Sequence, residues 1–467
     1  MNQCDLAVIG AGPAGMAAAT EGARLGLDTL LLDEQVAPGG QIYRNAEGMR
    51  PGDFALLGDE YRRGAELAAA FRASGAHYEP GSTIWHVGAD GTLGVLTGTG
   101  ARLISARRVI LAPGAMERPV AIPGWTLPGV MGAGAAQTLL KASGQVPDVP
   151  VVIAGSGPLT WLIACQLARA GVAISALLVT TPADRIARAL GHLPRALRAG
   201  GELLKGIGWI REARSRGIRI VTGVTALAVQ GEGRAEALTF TTASGRDSIP
   251  ASIMLLHEGV IPRIHLSLAA RCRHVWDEAQ LCWKPETDAW GATSLDRIAV
   301  AGDAGGIMGA SAAETLGRLA ALDAASRLGR ISTVERDRTA EPQRAALARH
   351  TTVRPLLDQL FRPLAGLLTP DDDATIICRC EEVTMADLRD AVAQGATDAN
   401  CAKLLTRCGM GPCQGRMCGP AVAAVIARAQ NVPVEAVGTW RIRFPVRPLP
   451  LAALAALEGG LDAEPEE

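Results

Sequence analysis

The stretch DLAVIGAGPAG, residues 5–15, decides the fold. Asp5–Ile9 is a short apolar run of strand length that ends in Gly10-Ala11-Gly12-Pro13-Ala14-Gly15. An Ala-rich stretch then continues to Arg24, and a second apolar run fills Thr29–Leu32. The order is strand, tight turn, helix, strand. Gly10 permits the turn, Gly12 lets the backbone approach a pyrophosphate, and Gly15 allows the helix to pack closely; the phosphates face the helix N-terminus. Pro13 and Ala14, inside the turn, count with this phosphate cradle. An acid should close the second strand about 20 residues on, to hold a ribose hydroxyl. Asp33 stands there, with Glu34 beside it. A lone glycine fingerprint is also compatible with a structural turn, and it is the strand, helix and acid in register that point to an adenine dinucleotide.

Around this unit lie 467 residues, enough for about three domains of roughly 100–200 residues each. Apolar residues make up 48% of the chain, so a packed core is expected rather than disorder. Lys and Arg number 46 against 47 Asp and Glu, which excludes a global basic field for nucleic acid. No run of about 18 apolar residues suggests a membrane span. The first strand begins almost at Met1 with no secretory pattern before it, which predicts a cytoplasmic chain. Six of the ten cysteines, Cys378, Cys380, Cys401, Cys408, Cys413 and Cys418, crowd into 41 residues, a pattern of metal or redox work rather than of a disulfide framework.

Val151–Ala154 and Gly155-Ser156-Gly157-Pro158-Leu159-Thr160 repeat the strand-turn-helix plan. Thr160 takes the third glycine position and should push the helix from the strand. The next strand, Ile174–Val179, ends in Thr180-Thr181-Pro182, so the ribose acid is missing. Arg185 could greet a 2′-phosphate, or belong to a solvated face. The unit is expected to be a retained scaffold with poor or no NAD(P) binding. Dithiol chemistry is not expected in the first half of the chain, because no cysteine lies between Cys4 and Cys165. His257, His265 and His274 show no partner pattern, and no substrate base stands out.

The cysteine-rich stretch opens with IICRCEEVT (376–384) and a helix, MADLRDAVAQG, with Thr384 as its expected N-cap. It closes with TRCGMGPCQGRMCGP (406–420) and a helix, AVAAVIARAQ. Short thiolate pairs just before helices suit an anionic iron–sulfur cluster, whose charge the helix N-termini stabilise while glycines free N–H groups for the sulfurs. Tetrahedral zinc is the alternative for the same thiolates.

Several segments carry resemblances. Ala112-Pro113-Gly114 after an apolar strand, and Ala299–Ala304 running into Gly302-Asp303 and a helix through Glu314, resemble the two-dinucleotide-domain flavoproteins. That resemblance implies an α/β fold, Rossmann-like and glutathione-reductase-like, with a small helical C-terminal iron–sulfur module. It also implies FAD, or another adenine dinucleotide, in the N-terminal site. Asp303 would meet the flavin's ribityl chain; a helix N-cap is its plainer role. The loop Pro38-Gly39-Gly40-Gln41-Ile42-Tyr43-Arg44 would pass the flavin, which adds Gly40, Gln41 and Arg44, with Ala112, Gly114 and Gly302, to the expected cofactor contacts. The cysteine stretch resembles the 2Fe-2S module of bacterioferritin-associated ferredoxin, departing from its second CxxC pair. The resemblance implies Cys378, Cys380, Cys413 and Cys418 as ligands, with Gly409-Met410-Gly411 in the place of a Gly-x-Gly turn and Cys408 left spare.

Together with PGGQIYR (38–44), APGAMERPVAIPGWTLPGVMGAGAAQ (112–137) and GSGPLT (155–160), these features resemble one group over nearly the whole chain. That group is the larger, or A, subunit of opine oxidases, hydrogen cyanide synthase and dye-linked proline or hydroxyproline dehydrogenases, with sarcosine oxidase alpha as a partial relative. The resemblance implies a smaller FAD-containing partner subunit that oxidises the amine, a third small subunit in some assemblies, FMN at a subunit interface, and a quinone or other electron acceptor. The expected organisation is a FAD domain in two pieces (1–120 and 280–330), an NAD(P)-like domain (121–279), a helical connector (331–373), a 2Fe-2S module (374–430) and a docking tail (431–467). The tail, TWRIRFPVRPLPLAALAAL, is expected to bury its apolar residues on a partner. Arg185 to Arg219, with nine basic residues against two acids, would steer an acidic partner or form a solvated face. Two rival readings remain open: a self-contained NAD(P)H-dependent reductase and a non-enzymatic cluster carrier.

Overall fold

A computed structural model describes residues 3–457. The first sheet contains β1 (Gln3–Ile9), β2 (Thr29–Asp33), β3 (His77–Pro80), β4 (Thr83–Val87), β5 (Thr92–Thr97) and β6 (Gly100–Leu111), in the order β3-β2-β1-β6-β5-β4. β1 lies parallel between β2 and β6, with Ile9 opposite Leu32 and Leu111. Strands covered on both faces read as continuous apolar runs, which is why DLAVI does not alternate. β4, β5 and β6 form an antiparallel meander. The sheet is completed from far along the chain by Ile298–Val300, parallel to β6.

Helix α1 (Pro13–Arg24) crosses this sheet and packs on the helix Ala310–Arg327. The approach is close because both helices present small residues: a Cβ on Gly317 would lie 2.0 Å from the carbonyl oxygen of Ala14. The second sheet is parallel throughout, in the order Ile220–Val221, Ile174–Val179, Val151–Ser156, Ile253–Glu258, Val130–Gly132. Paired strands Ala115–Glu117 and Val260–Pro262 mark the passages between the two units.

Beyond helices Thr333–His350 and Arg354–Leu360 comes the cysteine module, with helices Met385–Ala393, Ala399–Thr406 and Gly419–Gln430. Thr384 caps the first of these, and Asp387 reciprocates in a capping box. The module shares a continuous core with the second sheet, and the Trp125 indole N–H donates to the Ile376 carbonyl at 2.6 Å.

The tail is covered in part by this chain: Trp440, Ile442 and Val446 are buried, whereas Leu451 is 83% exposed. Trp440 fits because the cysteine loops offer it glycines: Gly409, Gly415 and Gly419 all face its indole. Residues 458–467 of the expected docking tail lie outside the described residues.

Candidate nucleotide and metal sites

A cavity of 760 Å³ is walled by both units. Gly10, Gly12, Pro13, Ala14, Asp33, Glu34, Gly40, Gln41, Arg44, Ala112, Gly114 and Asp303 all line it. Gly15 and Gly302 stand behind the wall as packing residues. A Cβ on Gly15 would fall 1.7 Å from the Gly10 carbonyl oxygen, and one on Gly302 (φ +72°) 2.7 Å from the Ala14 Cβ. Gly40 is pressed against Gly12, where a Cβ would come within 2.8 Å of the Gly12 Cα. This contact draws the loop Pro38–Arg44 over the glycine turn.

Asp33 ties the turn to the strand end: its carboxylate accepts from the Ala11 N–H and, at 2.6 Å, from the Gln35 N–H. Burial nevertheless raises its pKa. Asp303 accepts from the N–H groups of Met308 (2.8 Å) and Gly309 (3.1 Å), bracing the entry to the helix Ala310–Arg327, and burial raises its pKa too. Its bracing role and its place in the cavity wall coexist.

Several cavity groups escape a reading of the sequence. Lys141 donates to the carbonyls of Gln41 (3.2 Å) and Ile42 (3.1 Å) and to Gln137 Oε1 (2.8 Å). Burial, aided by Arg44, pulls its pKa down to about 7. The i, i+4 polar pair Gln137 and Lys141 in an otherwise apolar helix is the signal that could have found it. Glu117 accepts from the Gly134 N–H and meets His257 Nδ1 at 2.6 Å. His257 therefore has the carboxylate partner that its sequence context does not reveal. His274 is a packed residue, bonded to Ser267 and the Cys272 carbonyl. His265 lines the cavity, and burial pushes its pKa down to about 3.

At the second fingerprint, Thr160 is buried with its hydroxyl unpaired. Thr180 donates to Glu258 Oε1 at 2.5 Å, and Thr181 bonds Ser156 across the strand ends at 3.0 Å. Arg185 turns to the Pro363 carbonyl at 3.1 Å. Burial raises the Glu258 pKa to about 7.

In the cysteine module, the sulfurs of Cys378, Cys408 and Cys418 all lie within 4.8 Å of one another, and all three residues are buried. Cys380, exposed, stands against Cys413 at the outer side. The expected set is Cys378, Cys380, Cys413 and Cys418; here Cys408 takes an inner place instead of standing apart. The left-handed turn at Arg407 (φ +63°), followed by Gly409 (φ +84°), directs it inward. Hydrogen bonds from the Cys408 and Cys418 thiols, and from the Gly409 and Glu381 N–H groups, drive the Cys378 pKa far down. Three buried sulfurs drawn within 4.8 Å of one another, with the Cys380–Cys413 pair beside them, are a donor set that fits a thiolate-ligated cluster. The loop with Cys413 and Cys418 also carries Arg416 into the wall of the nucleotide cavity.

The family model for pyridine nucleotide-disulphide oxidoreductases matches residues 4–317, and the sarcosine oxidase A3 domain matches 373–458. The A subunit of opine oxidase from Rhizobium meliloti is 43% identical over 97% of this chain and 87% of its own length. The chain belongs to the family of opine oxidase A subunits. Within the same range of relatives, hydrogen cyanide synthase subunit HcnB of Pseudomonas aeruginosa is 34% identical over 96% of this chain and 98% of its own length. Among solved structures, L-proline dehydrogenase from P. horikoshii shares the fold, with a TM-score of 0.68 at 20% identity, over 97% of this chain and 79% of that one. Membership of the opine oxidase family makes this chain a flavin-dependent oxidoreductase of the FAD-binding kind. Among the described residues no helix is long and apolar enough to cross a membrane.

Proposed function

We propose that this chain is the electron-transfer flavo-iron–sulfur subunit of a heteromeric amine or amino-acid dehydrogenase. The substrate, an opine, glycine or a proline-type imino acid, loses its C–N hydrogens on a smaller FAD-containing partner, and electrons pass through interface FMN and a 2Fe-2S cluster to a quinone-like acceptor. The observation that carries this reading is the shared wall: Arg416, from the loop between Cys413 and Cys418, lines the cavity built by the first glycine fingerprint. Names of relatives as subunits supply the partner. Bound flavin and cluster would supply two-electron and one-electron exchange respectively.

The protein's own residues have defined tasks in this scheme. Gly10, Gly12 and Gly40 admit the pyrophosphate, Asp33 holds the turn, and Lys141 anchors the loop Pro38–Arg44 through the Gln41 and Ile42 carbonyls. Cys378 and Cys418 from the inner group, with the outer pair Cys380 and Cys413, are the ligands we favour; two pairs match the two irons of such a cluster. At the second fingerprint, Thr180 stands where a ribose acid would be expected and donates to Glu258 Oε1, which disfavours NAD(P)H as the reductant.

Purification from the native host without added reductant tests the scheme. The expected result is a copurifying amine-oxidising chain, two flavins and about two irons per heterodimer, with no bleaching of the flavin by NAD(P)H. A lone chain whose flavin NAD(P)H reduces rapidly would overturn it in favour of a complete reductase.

A further inference from the structure

The end of the first cavity beside Asp33 and Glu34 contains residues that no Rossmann unit supplies. Val446 and Arg447, from the C-terminal strap, line it together with Glu34, Asp33 and Ile84. Arg447 forms an ion pair with Glu34 at 2.7 Å. The strap is held from both sides. On the sheet side, the Val446 N–H donates to the Trp85 carbonyl at 3.1 Å, and the Phe444 ring meets His86 at 4.3 Å between centroids. On the module side, Arg416 donates to the Val446 carbonyl at 3.1 Å and Gln414 to the Pro445 carbonyl at 2.8 Å.

We propose that the strap and the cysteine loop complete the adenosine subsite, so that the adenine nucleotide is held jointly by the Rossmann unit and the cysteine module. The inference rests on the first cavity being an adenine-nucleotide site, but not on which adenine nucleotide it takes. A purine is flat and apolar, and buried Val446 faces the same space as Ile84. Carboxylates are strong acceptors for ribose hydroxyls, and Arg447 fixes Glu34 and balances its charge. Arg263, also in this wall, makes no ion pair among the described residues, which leaves positive charge for a phosphate.

The loop that delivers Arg416 and Gln414 runs between Cys413 and Cys418, and it includes left-handed backbone at Gln414 (φ +50°) and Gly415 (φ +80°). Gln414 is a non-glycine residue in a conformation that tethered neighbours must hold. Ligation of the flanking thiols sets this loop, the loop sets the strap, and the strap sets Glu34. Metal loading and nucleotide affinity are therefore coupled, and by reciprocity nucleotide retains metal by the same factor.

Calorimetric titration of the full chain, freed of bound nucleotide, with ADP tests the coupling in iron-loaded and chelated states. Wild type should bind ADP about tenfold more weakly once iron is removed, within the usual range of coupling energies. Arg447→Ala should bind weakly in both states, so that the ratio falls towards one, while Arg447→Lys recovers part of it. Melting temperatures of the variants report folding separately. Wild-type affinity and wild-type iron dependence in a folded Arg447→Ala protein would overturn the proposal. Failure of the unaltered, iron-loaded chain to bind ADP would instead overturn the nucleotide site on which it rests.

Discussion

A methyl group added at Gly15 would have to occupy the space of the Gly10 carbonyl. Neither atom can yield, because one belongs to a helix and the other to the turn that starts it. Gly15→Ala should therefore destabilise the protein by about 3 kcal/mol or more, seen as a fall in the urea midpoint together with loss of bound flavin. Glu258 gives a pH-dependent outcome. Its folded pKa is raised from 4.5 to about 7 by burial, so the folded state favours the neutral acid. That contribution to stability is complete below about pH 4.5 and is lost as the pH rises through 7. Glu258→Gln, a permanent neutral mimic, should gain on wild type by about 3 kcal/mol at pH 8 and by little at pH 5. Unfolding curves at the two pH values check this, and an equal difference at both would show that the carboxyl titrates in its ordinary range. Among the five clustered thiols, serine at Cys380 or Cys413 should abolish iron binding, whereas Cys408→Ser should retain it. Iron retained in the first two and lost in the third would move a ligand to the inner triad.

Elements differ in how far their own sequence specifies them. β1, the glycine turn and α1 are largely local: Gly15 answers the Gly10 carbonyl five residues back, and Gly10 the backbone of Ala112 just past the adjoining strand, so their roles can be read directly. The capping box of Thr384 and Asp387 is local as well. The pairing of Glu117 with His257 spans 140 residues, and that of Glu34 with Arg447 spans 413. No periodicity announces such contacts. The tail defeats a sequence reading for a related reason: its apolar residues are visible, but the glycines that receive Trp440 look like cluster-loop requirements alone. Trp440→Ala would empty the space between Gly409, Gly415 and Gly419, at a cost of about 3–5 kcal/mol. We expect a lower melting temperature and faster loss of iron to a chelator, measured by the decay of visible absorbance; an unchanged rate would separate the indole from cluster retention.

At the scale of the whole molecule, the two fingerprints show why one motif can serve two ends. The first keeps its glycines and its acid and opens on a 760 Å³ cavity. The second keeps the strands but closes the polar ends of Ile174–Val179 and Ile253–Glu258 on each other through Thr180 and Glu258. The missing acid at the ribose position is visible in Thr180-Thr181; the acid that meets Thr180 from 78 residues on is not. The same architecture has a consequence for synthesis. The first sheet receives Ile298–Val300 only after the second unit has been made, and α1 packs on a helix that ends at Arg327. A ribosome adding about 5–20 residues per second needs roughly 15–60 s to travel from the end of α1 to that helix. Throughout that interval the glycine turn and the apolar face of α1 are without their covering helix, so the segment that specifies the fold is among the last to be enclosed by it.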